Sequence, residues 1–154
     1  MNTIFNRLVW TIILCCTSVL LIGAKPSKGA KESERKKGHI IMFYNVENFF
    51  DTEDDPNTLD DEFTPAGPKE WSAVKYEKKL SNISYVIYSV ASANRNFPAI
   101  IGVSEIENRR VLDDIVSTEK LSKANYQIVH YDSPEIRGVD VALLYRPDVF
   151  EFEW

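Results

Sequence analysis

The chain has 154 residues, of which 44% are hydrophobic and 27% are charged, and its formal net charge at pH 7 is −5. This length accommodates one domain or part of one. The acidic balance excludes the broad basic surface of a protein that is held on DNA mainly by phosphate contacts. Any phosphate-bearing substrate would have to be received locally, through a metal ion.

The first 24 residues predict an export signal. Arg7 is the only charged residue before Lys25, and an apolar stretch over residues 8–22 leads to the small residues Gly23 and Ala24. A basic start, an apolar centre and a small-residue cleavage site form a secretory signal in that order. Residues 1–24 are therefore predicted to be a signal peptide that is cleaved after Ala24, and the mature protein is predicted to be periplasmic or extracellular.

Two other interpretations of this leader stay open. An uncleaved membrane anchor would need about 20 apolar residues, which is more than this stretch provides. A lipoprotein would be modified at Cys15 or Cys16, although Leu14 stands where a small residue is expected before Cys15. Both cysteines of the chain lie inside the predicted signal, so its cleavage would leave neither a disulfide nor a thiolate.

Residues 25–38 predict a polar linker, because they carry six Lys or Arg residues and no large apolar side chain. The domain is then predicted to occupy residues 39–154. Its first elements alternate between strand and helix, which is typical of an α/β domain with helices covering a sheet. They are a strand over His39–Tyr44 that ends near Asn45, a helix over Trp71–Ala93, a strand over Ala99–Ser104 and a helix capped by Asn108.

The remainder predicts three further strands, Gln127–Tyr131, Val139–Tyr145 and Val149–Trp154. Arg146-Pro147-Asp148 is predicted to join the last two as a hairpin. Three large aromatic residues alternate with glutamates in the final run, and each aromatic side chain would contribute roughly 1.5 to 3 kcal/mol if buried. Because no further layer follows to cover them, the chain is predicted to be a fragment of a larger domain.

Polar residues stand at the predicted ends of the first two strands. Asn45 and Glu47 follow the first strand, and side chains at i and i+2 of an extended segment point to the same side. They are predicted to converge on an ion or a phosphate, although ordinary turn hydrogen bonds are the competing interpretation. Glu105 ends the second strand and would lie near Glu47 if the two strands are neighbours. Such oxygen ligands suit Mg²⁺ or Mn²⁺.

Five segments in this order resemble the first half of the endonuclease/exonuclease/phosphatase superfamily, and particularly its secreted bacterial members. They are "YNVENFFD", "DDEFTP", "YEKKLSNI", "AIIGVSEIEN" and "RGVDVALLYRPDVF". The resemblance covers residues 40–154. It implies an incomplete four-layer α/β sandwich of the DNase I-like type, in which two sheets are flanked by helices and this chain forms the N-terminal part.

The resemblance also implies a metal-dependent phosphodiesterase or nuclease and assigns roles to four residues. Asn45 and Glu105 would be catalytic, Glu105 and Glu47 would bind the metal, and Asn45 and Arg137 would bind the substrate. For Arg137, a solvated turn residue is the competing interpretation. The implied cofactor is Mg²⁺, with Mn²⁺ as an alternative. The implied substrate is a phosphodiester in a nucleic acid, a phospholipid or a small phosphoester, and no obligate protein partner is predicted.

The later motifs of that superfamily, an Asp-x-Asn pair, an Asp-His pair and a substrate-contacting Tyr, have no counterpart in this chain. His39 and His130 lie in apolar strand contexts and are predicted to be packed or edge histidines. A non-catalytic remnant or binding module that keeps part of the fold is therefore the alternative function.

A calcium-binding loop is a third interpretation, with ligands at Asp51, Glu53, Asp55 and Glu62. Pro56 stands where the sharp turn of such a loop needs glycine. The segment is therefore predicted to be a flexible acidic rim near the active-site end.

Overall fold

The computed structural model describes residues 38–153. The predicted signal peptide, residues 25–37 of the predicted linker and Trp154 lie outside the described residues. The described part is α/β, as the sequence predicts. Its elements in chain order are β1 (Ile41–Phe49), α1 (Ala73–Asn94), β2 (Ile100–Ile106), α2 (Arg109–Ser117), β3 (Gln127–His130) and β4 (Asp140–Tyr145), with short 3-10 turns at Asp61–Phe63 and Ser122–Ala124.

The four strands form one mixed sheet in the order β1-β2-β4-β3. β1 and β2 are parallel and are connected through α1, whereas β4 is antiparallel to both of its neighbours. The carboxyl ends of β1 and β2 therefore meet at one edge of the sheet, and β4 begins at that same edge. The register places Asn45 beside Ser104, and Ile106 beside Asp140.

Helix α1 forms because its apolar residues recur at helical spacing, and it begins and ends within two residues of the predicted bounds. The chain leaves the helix at Arg95, which has a left-handed φ of 53° and donates its backbone N–H to the carbonyls of Ala91 and Ser92. Its inner face comprises Tyr76, Leu80, Ile83, Ser84, Ile87 and Ala91, all buried. The predicted helix is confirmed.

The core lies between the helices and one face of the sheet. Fully buried side chains from β2, α2 and β4 meet there, including Val103, Leu112 and Leu144. Each contributes roughly 1.5 to 3 kcal/mol through burial. This packing orients the sheet, so that the loops at the carboxyl ends of β1 and β2 start from a fixed framework.

Within residues 38–153, the opposite face of the sheet is covered at one end, where the Phe152 ring stacks on Tyr145, and is open around Phe43 and Val141. Phe43 is 75% exposed and Val141 is 66% exposed. The Phe43 ring lies over Gly102, where an added Cβ atom would stand only 2.6 Å from a ring carbon. Gly102 therefore lets the aromatic ring lie flat against the middle of the sheet. These residues leave a contiguous apolar surface facing solvent.

The predicted strand at Val149–Trp154 is wrong for its described residues. After β4 the backbone N–H groups of Val149 and Phe150 both donate to the carbonyl of Arg146, at 3.1 and 3.0 Å, which turns the chain away. The Arg146 guanidinium fixes this turn through the Asp148 carboxylate. The physical reason is topological: β4 already pairs with β2 on one side and β3 on the other, so neither edge is free for a hairpin partner.

Neither of the two α-helices within residues 38–153 combines the length and the apolarity that crossing a bilayer requires.

Candidate metal and phosphate site

Glu105 and Asn45 are brought into contact at the carboxyl ends of β1 and β2. The Asn45 amide donates from Nδ2 to Oε1 of Glu105 at 2.8 Å, and the backbone N–H of Asn48 donates to Oε2 at 2.9 Å. The strands that carry these residues are adjacent, as the predicted convergence requires. Both carboxylate oxygens of Glu105 are thus oriented by the end of β1.

Irregular backbone creates this arrangement. Glu47, Asn48 and Glu105 have φ values of 59°, 56° and 62°, in the left-handed region that non-glycine residues rarely adopt. The pairing register of β2 shifts around Glu105 against both of its neighbours, as in a β-bulge. Each such conformation costs of order 1–3 kcal/mol and is typical of functional sites and bulges.

The predicted convergence of Asn45 and Glu47 through an extended i, i+2 pair is wrong. The Asn45 Oδ1 atom accepts the backbone N–H of Glu47 at 2.7 Å, so the chain turns between the two residues. Asn45 is in contact with Glu105, while the Glu47 side chain is exposed at the turn. The competing interpretation, a turn hydrogen bond, is correct for the Asn45–Glu47 pair.

Lys79 is a residue at this site that the sequence analysis missed. Its Nζ atom donates to the backbone carbonyls of Glu47 and Asn48, the latter at 3.1 Å, and so ties α1 to the end of β1. Burial lowers the pKa of Lys79, although the nearby charges of Glu47 and Glu105 oppose that shift. The ammonium group therefore lies within electrostatic reach of both predicted metal-binding carboxylates. In the sequence, this contact was indicated only by the position of Lys79, which stands next to Leu80 and about one turn after Tyr76, two residues of the predicted apolar helix face.

Arg137 lies on the turn between β3 and β4, where it pairs with a neighbouring acid. Its Nε atom is 2.9 Å from Oε1 of Glu135, and its backbone N–H donates to the other oxygen of the same carboxylate. The pKa of Arg137 is raised mainly by Glu135 and in smaller part by Glu105. Arg137 therefore lies within electrostatic reach of Glu105, but its direct partner is Glu135.

The acidic loop after β1 does not gather the four predicted calcium ligands. Asp51 accepts the backbone N–H of Glu53 at 2.7 Å and the Asn108 amide at 3.0 Å, and Glu62 pairs with Lys69 at 3.4 Å. Within residues 38–153, the metal-capable groupings of His, Cys, Asp and Glu include none of these acids. The calcium-loop interpretation is wrong, because the carboxylates close local turns and ion pairs.

A buried carboxyl lies behind this loop, at Glu107. The pKa of Glu107 is raised to about 8, mainly by burial. The backbone N–H of Asp51, 2.5 Å from Oε2 of Glu107, lowers this pKa. The negative charges of Asp51, Asp60 and Asp55 raise it further. Asp60 is only 1% exposed, and its Oδ1 atom has no hydrogen-bond partner among the described residues. Glu107 and Asp55 line a cavity of about 630 Å³ between the acidic loop and the β3–β4 turn.

Among the hydrogen bonds of residues 38–153, none joins His39 or His130 to Glu105. The exposed His39 meets the Phe150 ring edge-on, with the ring centroids 5.8 Å apart. The His130 side chain is 4% exposed and its Nε2 atom is 3.1 Å from Oδ2 of Asp140. The prediction that His130 is packed is confirmed. Its pairing with Asp140 was missed, since it depends on a register between strands that the sequence does not state.

The residues at the sheet edge fit a divalent cation by their chemistry. Glu105 offers a carboxylate oriented by two N–H donors, and Glu47 adds a second carboxylate at the adjoining turn. Mg²⁺ is commonly bound through one or two carboxylates, with waters and substrate phosphate completing the shell. The site therefore has the donors for a metal shared with a phosphate, and an amide and two cationic side chains nearby.

Comparison with protein families gives a match. The model of the Endonuclease/Exonuclease/phosphatase family matches residues 40–154, which include every residue of the site described above. No curated protein matches the chain, and no solved structure does. Because the matched segment is well over half of the sequence, the chain belongs to the endonuclease/exonuclease/phosphatase family.

Proposed function

We propose that this chain carries a divalent-metal-dependent phosphodiesterase site, with Mg²⁺ as the metal and Mn²⁺ as the alternative. Membership of a family of nucleases and phosphatases supports a hydrolase-type domain, since such enzymes act on phosphoester bonds in general. The observation that carries the finer proposal is the contact between Glu105 and Asn45 at the ends of two adjacent parallel strands.

In this proposal Glu105 is the principal metal ligand and Glu47 an additional one. A bound divalent metal would polarise a phosphoryl oxygen and stabilise the charge that develops during hydrolysis. Asn45 and the backbone N–H of Asn48 fix the Glu105 carboxylate, so it needs little reorganisation to serve as a ligand. Asn45 would also face the substrate phosphate, and Arg137 would reach it once released from Glu135.

The alternative function is a non-catalytic remnant or binding module. A specific observation favours keeping it: the hydrogen bonds of residues 38–153 place no histidine beside Glu105, although activation of water needs a base within reach of it. The two functions differ in their outcome. A binding module would bind metal and phosphoester at Glu105 without turning the ester over.

We propose that the fold is completed by a second sheet, which would give the four-layer sandwich predicted from the sequence. The exposed apolar face with Phe43 and Val141 supports this, because contiguous apolar surfaces on a sheet are normally covered. We also propose export through residues 1–24, with the periplasm or the extracellular space as destination. N-terminal sequencing of the exported protein should begin at Lys25; a chain that still begins at Met1 would contradict the proposed cleavage.

The experiment that tests the proposed function uses the full chain, bis(4-nitrophenyl) phosphate as substrate and a Mg²⁺ or Mn²⁺ titration. We expect metal-dependent release of nitrophenolate that falls at least 100-fold in Glu105→Gln and is unchanged in Glu119→Gln, an exposed control. Mn²⁺ binding followed by electron paramagnetic resonance separates the alternatives. Metal binding that Glu105→Gln removes, without any turnover, would favour the binding module.

A comparison of the substrate classes known for the family would then narrow the substrate class of this protein. DNA, RNA, phosphoinositide, sphingomyelin and a small phosphodiester should be compared under the same metal conditions. The net charge of −5 argues against long nonspecific contacts with DNA. Preference for a short or small phosphoester over long duplex DNA is therefore expected.

A further inference from the structure

A second cluster of metal-ligating side chains, which shares no residue with the Glu105–Asn45 contact, lies between β3 and β4. One ligand atom from each of His130, Asp132 and Asp140 can be chosen so that all three atoms lie within 4.8 Å of one another. His130 ends β3, Asp140 begins β4 and Asp132 lies on the connecting turn. Among residues 38–153, this is the grouping with the composition and spacing of a metal site.

Strand register and the connecting turn bring the three residues together. His130 pairs with Ala142 in the antiparallel ladder, and Asp140 precedes Ala142 by two residues on β4. Side chains two residues apart on a strand point to the same face. His130 and Asp140 therefore reach the same side of the sheet end, and the connecting turn brings Asp132 to them, although eight positions separate Asp132 from Asp140 in the sequence.

The distance between His130 and Asp140 agrees with a shared ion. Ligand atoms on a four-coordinate zinc lie roughly 3.3 Å apart, given metal–ligand bonds of about 2.0–2.2 Å. Nε2 of His130 and Oδ2 of Asp140 are 3.1 Å apart. Asp132 is exposed, so a change of its rotamer can close the remaining separation.

Burial and outer contacts distinguish this cluster from a chance group of surface acids. The side chains of His130 and Asp140 are both only 4% exposed. The second oxygen of Asp140 accepts the backbone N–H of Ser133 at 2.8 Å, which orients the carboxylate as an outer-shell hydrogen bond does in metal sites. Asp132 and Asp140 also line the 630 Å³ cavity, which offers an entry path and room for water on the ion.

We propose that His130, Asp132 and Asp140 form a binding site for a divalent transition-metal ion of the zinc class, separate from the Glu105 site. One imidazole and two carboxylates suit such an ion better than Mg²⁺, which prefers oxygen ligands. Three protein ligands leave one position open in a tetrahedral site. The ion would fasten the turn at residues 131–139, which carries Arg137, to the ends of β3 and β4.

The test uses the metal-stripped full chain and Co²⁺ as a spectroscopic probe of zinc-class binding. We expect one equivalent of Co²⁺ to produce the visible absorption of a four- or five-coordinate ion with nitrogen and oxygen ligands, and one equivalent of Zn²⁺ to displace it. Asp132→Asn and His130→Gln should each weaken Zn²⁺ binding at least tenfold, as measured by competition with a chromophoric chelator. Asp132 is exposed, so the first variant should fold even if the second does not.

Two control variants separate this site from the proposed catalytic one. Asp113→Asn, in an exposed pair with Arg109 on α2, should bind Zn²⁺ as the parent chain does. Glu105→Gln should also keep the Co²⁺ spectrum, because its change falls on the other site. The proposal is overturned if Zn²⁺ binding is absent, if it survives both Asp132→Asn and His130→Gln, or if Glu105→Gln alone removes it.

Discussion

At the scale of single residues, the end of β1 is organised by hydrogen bonds to carboxylates and carbonyls. Glu105 receives two N–H donors from β1, and Lys79 donates to two carbonyls of the same segment. These contacts offset the cost of three residues with left-handed backbone. The proposed ligand is therefore held before any metal or substrate arrives.

Glu107 should make the stability of the protein depend on pH. Its folded-state pKa is about 8, well above the usual value for glutamate, so the folded state binds more protons than the unfolded state between pH 4.5 and 8. The free energy of unfolding should therefore fall as pH rises through this window. Glu107→Gln cannot ionise and can still accept the Asp51 backbone N–H, so it should be more stable than the parent at pH 8.5 by about 1–4 kcal/mol.

Urea unfolding of both chains at pH 5.5, 7.0 and 8.5 measures this difference. The advantage of Glu107→Gln should grow with pH, and Glu119→Gln should follow the parent chain because its side chain is exposed. Equal pH dependence in the parent chain and Glu107→Gln would show that Glu107 ionises in the folded state much as it does in the unfolded state.

The residue-scale arrangement was only partly predictable. Asn45, Glu47 and Glu105 were found in the sequence because each follows an apolar run. The turn at Glu47 was not found in the sequence. Its left-handed φ values fall on Glu47 and Asn48, whereas glycine is the residue that would have indicated such a turn. Likewise, the reach of Lys79 depends on how α1 lies along β1. Local patterns identify chemical groups, whereas their contacts depend on tertiary packing.

At the scale of elements, α2 illustrates a helix start that also serves the acidic loop. The Asn108 side chain accepts the backbone N–H of Val111 at 3.1 Å, which is an N-cap, and donates to Asp51 at 3.0 Å. Asp51 in turn accepts the backbone N–H of Glu53. One amide therefore joins the helix start to the loop, and the predicted cap is confirmed.

Replacing Asn108 should separate these two roles. Asn108→Ala loses the cap and the Asp51 contact, so we expect a loss of about 1–2 kcal/mol in the free energy of unfolding. Asn108→Asp retains a good cap but sets a second carboxylate against Asp51, so it should recover little of that loss at neutral pH and more at acidic pH. Chemical unfolding of each variant measures this.

Asn82→Ala, at an exposed position inside α1, is the matched control and should be neutral or slightly stabilising, since alanine favours a helix interior. If Asn108→Asp were as stable as the parent at neutral pH, the contact between the Asn108 amide and Asp51 would contribute nothing to the free energy of unfolding.

Elements with strong local periodicity were predicted well, and the one that depends on long-range pairing was not. The 3.6-residue spacing of buried side chains locates α1, and apolar runs locate β2 and β4. The alternation of Phe150 and Phe152 with glutamates suggested a further strand. Whether an alternating run pairs depends on a free strand edge, and β4 has none.

At the scale of the whole described domain, one face of the sheet is packed and the other is apolar and open. Phe43 and Val141 lie on the open face, together with the groove near Val129 and Leu143. The sequence indicates that both faces are apolar, because β1 and β4 carry large apolar residues at both alternating positions. Such strands are expected to be covered on both faces.

The open face should bind apolar dyes, and the double variant Phe43→Ser/Val141→Ser should bind them less. Both side chains are mostly exposed, so their loss removes apolar surface without creating a core cavity. We expect the fluorescence enhancement of anilinonaphthalene sulfonate to fall at least twofold while the midpoint of thermal unfolding moves by only a few degrees. Val74→Ser, which replaces an apolar residue that is 79% exposed on α1, is the matched control and should leave the enhancement unchanged. An equal enhancement in the parent chain and the double variant would mean that the open face is already covered in solution, as a second sheet or another chain would do.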